Sequence, residues 1–482
     1  MSIRDKQRQV EVDIVNFSKK GNGIGYFVRQ DEQTWPVEVS FTVPGDRVKT
    51  TLLRKRSGVY RSWLDEVVTP SSDRIEPKCR HFGVCGGCRW QQIPYSKQLE
   101  EKELMIRHHF GDLITDAVDF YGIVPNNDPW KYRNKMEFSF STDREGNRYL
   151  GLMMDQGRGK VVDLQECHLT NPWFIDAVST VRDWWKESNL EAYHSYKDVG
   201  SLRTLTLREG IRTGDRMVNL TVSGNPDFAL KKHHLEGFVA FIRDAVEPVD
   251  PDQRLSVFLT IHQIQKGHPT QFYEMHLYGA DTIREELRIH REEQTSRESL
   301  TFHISPAAFF QPNTLQAEKL YSLALEMAQI SSDQVVYDLY CGTGTLGICA
   351  AKRAKQVVGV ELSPESAHDA RHNAKENGIE NISILTGAVK RILGEIREKE
   401  LYPEPDVVMV DPPRAGLDPE AVKHLIELSP PKLLYISCNP ATQVDNIREF
   451  IKNGYELKAV QPVDQFPHTV HIENIALLTK TS

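Results

Sequence analysis

Val335-Val336-Tyr337-Asp338-Leu339-Tyr340-Cys341-Gly342-Thr343-Gly344-Thr345-Leu346-Gly347 decides the fold of the C-terminal third of this 482-residue chain. Val335 to Tyr340 reads by composition as a buried strand, and the small residues through Ala354 read as a helix. Between them stands Gly-x-Gly-x-x-Gly, in the strand-to-helix setting that gives the pattern its meaning. Glycines there let the backbone turn sharply and approach a ligand closely. The next predicted strand, 356–360, is followed by Glu361, a carboxylate placed to accept hydrogen bonds from both hydroxyls of a ribose. The glycines alone do not separate a nicotinamide cofactor from S-adenosylmethionine. Asp338 before the loop, and the Asp411-Pro412-Pro413-Arg414 loop after the fourth strand, favour the methyl donor.

Outward from this loop, a helix predicted over 315–328 leads into alternating strands and helices. That alternation predicts a doubly wound sheet with parallel strands. Ser437-Cys438-Asn439-Pro440 closes the predicted strand 432–437, at the edge where an open α/β sheet exposes its active site. Glu473 follows in a His-Ile-Glu strand. A cysteine, a carboxylate and a cofactor loop in one domain suit covalent catalysis on a substrate that is hard to activate. The plainer alternatives are a buried structural cysteine and a surface or capping carboxylate. Phe309, Phe310 and Phe466 are candidates for stacking an extruded base, although an aromatic is more often core.

Cys79-x5-Cys85-x2-Cys88, with Cys167 far downstream, brings together four thiols. Gly86 and Gly87 let backbone wrap closely around an inorganic centre. Four thiolates suit zinc or an iron–sulfur cluster. Structural zinc usually shows paired Cys-x-x-Cys knuckles, and only one is present, so the compact run plus one remote ligand favours 4Fe–4S. Plain unligated cysteines remain the third reading. Cys341 and Cys349 read as small packing residues.

Residues 9–70 read as about five short strands with glycine-rich turns, hence a small β-barrel. Residues 95–110 read as a helix. A second β-rich region runs from about 130 to 290, with one clear helix near 172–187 that Asn171 caps and Pro172 opens. The net charge is −8, which argues mildly against nucleic acid, but residues 1–80 carry 15 Lys and Arg against 11 Asp and Glu. The run Arg54-Lys55-Arg56, followed by Arg61, suits local binding to phosphates, or else is a solvated strand edge. No stretch approaches about twenty apolar residues, so no transmembrane span is expected. Residues 1–6 lack the apolar core of a signal peptide. Seven cysteines are too sparse for a disulfide scaffold, and the cytosol is the expected compartment.

Together these residues resemble the RNA uracil-C5 methyltransferase family, specifically its iron–sulfur branch acting on large-subunit ribosomal RNA. The resemblance covers nearly the whole chain. It implies a multidomain α/β protein: an OB-like TRAM RNA-binding β-barrel over 1–70, a central β-rich domain with an iron–sulfur cluster over 71–300, and a Rossmann-like methyltransferase domain over 301–482. It implies Cys79, Cys85, Cys88 and Cys167 as 4Fe–4S ligands. Phe309-Phe310-Gln311-Pro312-Asn313 matches the segment whose glutamine faces donor and substrate. Gln311, Tyr340, Gly342, Gly344, Thr345, Glu361 and Asp411 are the implied S-adenosylmethionine site, Cys438 the nucleophile and Glu473 the base. In that scheme Cys438 adds to carbon 6 of uracil, carbon 5 takes the methyl group, the base removes the carbon 5 proton, and the thiolate leaves.

Two departures from the family pattern stand out. Thr345 replaces a common Asn, and Thr386-Gly387-Ala388 lacks the carboxylate that often contacts adenine. The implied partner is RNA, ribosomal first and transfer RNA as the alternative, for a monomer without membrane contact. The reading from another class is a non-catalytic RNA-binding protein, against which the intact Cys438 and Glu473 speak.

Overall fold

The computed structural model describes residues 8–28, 33–155, 157, 159–264, 267–290 and 298–481. The stretch 1–6, considered above for a leader, and the side chain of Arg54 in the basic run lie outside the described residues. Strands β1 (Gln9–Phe17), β2 (Gly23–Val28), β3 (Thr34–Val39), β4 (Arg47–Arg56) and β5 (Val59–Thr69) close into a barrel in the order β1-β2-β3-β5-β4. Period-two alternation turns Val12, Ile14, Phe27, Val37, Val39, Val48 and Leu52 into one small core. Closure removes the unpaired edges that a five-stranded sheet would otherwise present. Lys55 of the basic run lays its ammonium 3.0 Å from the centre of the Trp35 ring.

Helix α1 (Tyr95–Phe110) spans the predicted residues. The chain then forms the short strand β6 (Asp119–Phe120), which joins the C-terminal sheet rather than the central one. Central strands β7 (Lys135–Thr142) and β8 (Arg148–Gly151) precede helix α2 (Trp173–Glu187), and β9 (Leu202–Glu209) and β10 (Arg216–Ser223) precede helix α3 (Lys232–Val246). Strands β11 (Leu255–Gln263) and β12 (Gln271–Gly279) complete a six-stranded sheet, β12-β11-β10-β9-β7-β8. Helix α3 is the crossover that the parallel β10–β11 pair requires. Asn171 does not cap α2 as expected. It donates 2.7 Å to Glu209, which Trp173 also binds at 2.6 Å. A buried carboxylate costs more when unpaired than an open helix end does, so it takes both donors, and Pro172 stands at the cap without a side-chain bond.

Strands β13 (Ile283–Ile289) and β14 (Glu298–Ile304) pair with each other and pack into the C-terminal core. Helix α4 (Thr314–Ala328) is capped by Asn313, whose side chain accepts from Gln316 N–H. The C-terminal sheet then builds from β15 (Val335–Leu339), α5 (Thr345–Ala351), β16 (Gln356–Glu361), α6 (Pro364–Glu376) and β17 (Ile382–Thr386). It continues with α7 (Val389–Lys399), β18 (Val407–Val410), α8 (Pro419–Leu428), β19 (Lys432–Ser437), α9 (Pro440–Lys452), β20 (Tyr455–Val463) and β21 (Glu473–Lys480). Its order is β17-β16-β15-β18-β19-β21-β20-β6.

The predicted parallel arrangement holds from β17 to β19, but β21 inserts antiparallel between β19 and β20. No helix separates β20 from β21, and strands joined without a crossover run antiparallel. Among the described residues no helix is long and apolar enough to cross a membrane.

Helix α1 docks on this sheet through Lys102, whose ammonium lies 2.6 Å from Asp464 with both side chains fully buried. Replacing Lys102 by Ala is expected to lower unfolding free energy by about 3–5 kcal/mol, because it strands a buried carboxylate. Urea denaturation checks this against Lys186→Ala on the exposed 2.7 Å pair with Asp183, expected to change little.

Candidate active site

Strand order reverses between β15 and β18, and such a switch point opens a ligand crevice at the carboxyl ends of the strands. After β15 the backbone takes positive φ at Tyr340 (67°), Gly342 (55°) and Gly344 (80°), wrapping the loop over the crevice. Glu361, at the end of β16, fixes that loop: its Oε2 accepts Gly342 N–H at 2.9 Å and its Oε1 accepts Ser363 N–H at 2.8 Å. Each oxygen keeps a second lone pair for a ribose hydroxyl. Gly347 brings α5 against Asp338, where a Cβ would stand 2.7 Å from Oδ2. Burial pushes Asp338 up to about 7, and its Oδ2 has no hydrogen-bond partner in the protein.

Across the crevice, Asp411 follows β18. Desolvation pushes it up to about 7 as well. Gln311, buried, holds its amide 3.5 Å from Asp411 Oδ2 and receives Gln465 at 3.3 Å. Tyr321 and Thr345 hydroxyls meet at 3.3 Å beside them.

Cys438 and Glu473 come together through sheet register. Ser437 of β19 stands opposite Asn474 of β21. One step along that antiparallel ladder sets Cys438 opposite Glu473, and opposed residues share a face. Burial, then the facing Glu473, push the Cys438 thiol up to about 11, while Arg414 opposes by charge and by a hydrogen bond. Burial and Asp411 hold Glu473 well above the usual carboxylate range, again opposed by Arg414, and Glu473 Oε2 is unpartnered. Arg414 also donates to His471 Nδ1 at 2.5 Å. Burial and that guanidinium depress His471 to about 4, so its imidazole is neutral and can accept. Sequence reasoning quoted Arg414 within its loop but gave it no role. The signal was available: a cation beside two acids and a thiol is the group that balances them.

Cys438 opens into a groove of about 490 Å³ lined also by Arg414, Asn439, Lys19, Lys20, Arg89 and His109. The barrel's β1–β2 turn, the cysteine loop and α1 therefore all line the groove into which the Cys438 thiol opens. Among the described residues, the positive charge at the groove comes from Lys19, Lys20, Arg89 and Arg414, and Lys55 and Arg56 of the basic run are not in its lining. Of the three aromatics proposed for stacking, Phe309 is exposed, whereas Phe310 is buried in the core against Phe302, ring centres 5.9 Å apart. Phe310 is therefore core: β14 and α4 close over it. Phe466 is half-buried and meets His471 edge-on at 6.2 Å.

Cys79, Cys85, Cys88 and Cys167 are free thiols whose pKa burial pushes up, Cys85 to about 11 and Cys88 to about 12, and Cys167 adds to the rise at the other three. Each sulfur faces hydrogen-bond donors: His81 and Phe82 amides at Cys79, Gly87 at Cys85, the Gln91 side chain at Cys88, and Leu169 and Thr170 at Cys167. Four sulfurs on one zinc would stand about 3.8 Å apart, given bonds near 2.3 Å. Among the described residues no three of these sulfurs lie mutually within 4.8 Å. The neighbouring Arg89 and Trp90 amides donate to His468 O at 2.8 and 3.2 Å, tying the cysteine loop to the segment that ends at Glu473. Cys341 and Cys349 are buried in the hydrophobic core.

Residues 273–481 match the tRNA (Uracil-5-)-methyltransferase family. An uncharacterized RNA methyltransferase of Protochlamydia amoebophila is 56% identical over 443 residues, covering 92% of this chain and 100% of that protein. Another, from Caldanaerobacter subterraneus, is 34% identical, covering 98% of this chain and 99% of its own. The crystal structure of Pyrococcus abyssi tRNA (uracil-54, C5)-methyltransferase in complex with S-adenosyl-L-homocysteine shares the fold, with a TM-score of 0.71 at 24% identity over 98% of this chain and 100% of that one. With these relatives, the glycine-looped crevice at the switch point is that of an S-adenosylmethionine-dependent methyltransferase acting on RNA. The chain belongs to the RNA uracil-5 methyltransferase family.

Because Cys438 is a thiol at neutral pH, its alkylation is expected to accelerate about tenfold per pH unit from 7 to 10. Peptide mass spectrometry after timed iodoacetamide exposure reads this. In Arg414→Gln the whole profile is expected to move to higher pH, because the opposing cation is gone.

Proposed function

We propose that this enzyme methylates carbon 5 of a specific uridine in large-subunit ribosomal RNA through a covalent bond between Cys438 and carbon 6 of the uracil. The observation that carries the reading is the pairing of Ser437 with Asn474, which one step on faces Cys438 with Glu473, beside a cationic groove that Cys438 lines. Carbon 5 of uracil is a poor nucleophile. Addition of the Cys438 thiolate to carbon 6 places the displaced electron pair in an enolate, and carbon 5 becomes electron-rich. Carbon 5 then takes the methyl group and the donor leaves as the neutral thioether. Glu473 removes the carbon 5 proton, the C–H electrons restore the double bond, and the thiolate is expelled. One proton is released overall. A carboxylate held at high pKa is a stronger base, which suits Glu473 to this proton. Arg414, bonded to the sulfur, favours the thiolate that must form first.

In this reading Tyr340, Gly342, Gly344, Thr345 and Glu361 hold the donor's nucleoside end, and Gln311 and Asp411 flank its methyl group. The unpartnered Asp338 Oδ2, together with the raised pKa values of Asp338 and Asp411, suits a cationic ligand that both acids would face. Cys79, Cys85, Cys88 and Cys167 would hold a 4Fe–4S cluster. Their amide donors support that assignment, since hydrogen bonds to sulfur stabilise the negative charge of such clusters. When bound, the cluster supplies a redox-capable inorganic core that pins the loop. The barrel over 1–70 serves as a TRAM domain beside the central domain 71–300 and the catalytic domain 301–482, with Lys19 and Lys20 at the groove. Transfer RNA is the second reading, supported by the family that residues 273–481 match.

Mass mapping of RNA from cells with and without the gene tests the substrate: loss of 5-methyluridine at a large-subunit site is expected, and loss only in transfer RNA favours the second reading. Cys438→Ala is expected to abolish methylation with RNA binding retained. Glu473→Gln is expected to accumulate a protein–RNA adduct on denaturing gels. Glu361→Ala is expected to weaken S-adenosylhomocysteine binding about 10- to 100-fold by calorimetry, the scale of lost hydrogen bonds to a charged group.

A further inference from the structure

The seam between β14 and α6 carries a cluster that uracil methylation does not use. Alternate residues of β14 are stitched to successive turns of α6. Asn377 accepts from Thr301 N–H at 2.9 Å and donates to Thr301 O at 2.7 Å. Asn373 does the same for His303 at 2.7 and 3.2 Å. Asp369 accepts from the amide and hydroxyl of Ser305 at 3.1 and 2.7 Å. Two strand residues advance about 6.7 Å and four helix residues about 6 Å, so the three rungs stay in step.

This ladder fixes the backbone of His303 beside His372 and Glu376, which stand one helical turn apart on α6. The two imidazoles meet edge to face, with ring centres 4.7 Å apart. One ligand atom from each of His303, His372 and Glu376 lies within 4.8 Å of the others. The Nδ1 of His303 is 3.2 Å from Thr282 Oγ1, and that hydroxyl is 3.5 Å from Asp281. A hydroxyl accepting from Nδ1–H leaves Nε2 as the lone-pair atom, the arrangement that orients a metal-binding histidine.

We propose that His303, His372 and Glu376 bind one transition-metal dication of the zinc class, clamping the β13–β14 hairpin to α6. Two imidazoles and one carboxylate form a three-ligand set that zinc accepts, with the fourth position open to water. Imidazoles select such ions over magnesium and calcium, which take oxygen. Bonds near 2.0–2.2 Å in a tetrahedron set ligand atoms about 3.4 Å apart, so closure asks roughly an ångström of two exposed side chains. Arg254 and Arg284 also face His303. Arg284 is paired with Asp215 at 3.0 Å, which relieves its repulsion of a dication. The clamp would join two segments that lead to the donor crevice: β14 runs into the loop bearing Gln311, and α6 begins just past Glu361. It stands on the fold and not on the choice of RNA.

The test is a cobalt(II) titration of the full chain, read by visible absorption, because cobalt on nitrogen and oxygen shows d–d bands without the ultraviolet thiolate charge transfer that cysteine binding gives. Cobalt taken by the free thiols at Cys79, Cys85, Cys88 and Cys167 shows itself by the ultraviolet thiolate bands; beyond it, wild type is expected to bind one further equivalent with the thiolate-free spectrum. In His372→Ala that spectrum is expected to vanish. In Glu376→Gln affinity is expected to fall by at least about tenfold, the scale of losing even an outer hydrogen bond at a metal site. Both residues are exposed, so metal-free melting should match wild type. Zinc should raise the melting temperature of wild type more than that of His372→Ala, which keeps only the thiols as a zinc site. Equal cobalt uptake and spectrum in His372→Ala, or only thiolate bands in wild type, would overturn the proposal, whatever the outcome for methylation.

Discussion

The buried pair of Lys102 and Asp464 is the constraint on which the catalytic half depends. Lys102 Nζ also donates 2.9 Å to Phe466 O, and Asp464 accepts the Tyr95 hydroxyl at 2.7 Å and Phe466 N–H at 3.2 Å. Two charges leave water only where such bonds compensate them. The turn between β20 and β21 is thereby fixed from its first residue. His468, held at φ 63° and stacked 3.9 Å from Trp130, fixes it again at the middle. Gln98 of α1 binds both the amide and the ring of His468, at 2.8 and 3.2 Å. Glu473 emerges from this turn already aimed. The same His468 carbonyl receives the cysteine loop, so three of the four thiols and the carboxylate hang from one joint.

Electrostatics in the crevice follows from crowding like charges into low dielectric. Asp338, Asp411 and Glu473 are all pushed upward, and Cys438 with them. Four such groups cannot all ionise together. Arg414 relieves the Cys438–Glu473 end, and a sulfonium donor would relieve the Asp338–Asp411 end. The free protein is therefore poised mostly neutral.

Local signals made much of this legible. The glycine loop, α1 and the strand before Cys438 carry their own periodicity and turn chemistry, and the structure places them where the pattern did. Features decided by distant partners were not legible. Helix α3 hides its period behind His233, His234, Gly237 and several β-favouring residues, and burial of Phe238, Ile242 and Val246 against α2 and the central sheet settles it. The antiparallel β21 depends on the absence of a crossover helix, and β6 on pairing with a strand some 340 residues later. Phe309 and Phe310 look alike in sequence and differ only in which way β14 delivers them. The groove's lysines come from a turn, where no strand or helix period marks them.

Lys102 and Asp464 are 362 residues apart in the chain. At about 5–20 residues per second, a ribosome makes the second roughly 20–70 s after the first. Throughout that interval α1 must keep its ammonium hydrated and its apolar face unpaired, beside a barrel that can already close. The groove cannot exist until the last strands are made, because its floor and its anchor both arrive with them. A nascent chain thus lacks Cys438 in register with Glu473 until its last strands are made, and the groove appears in one late step of synthesis.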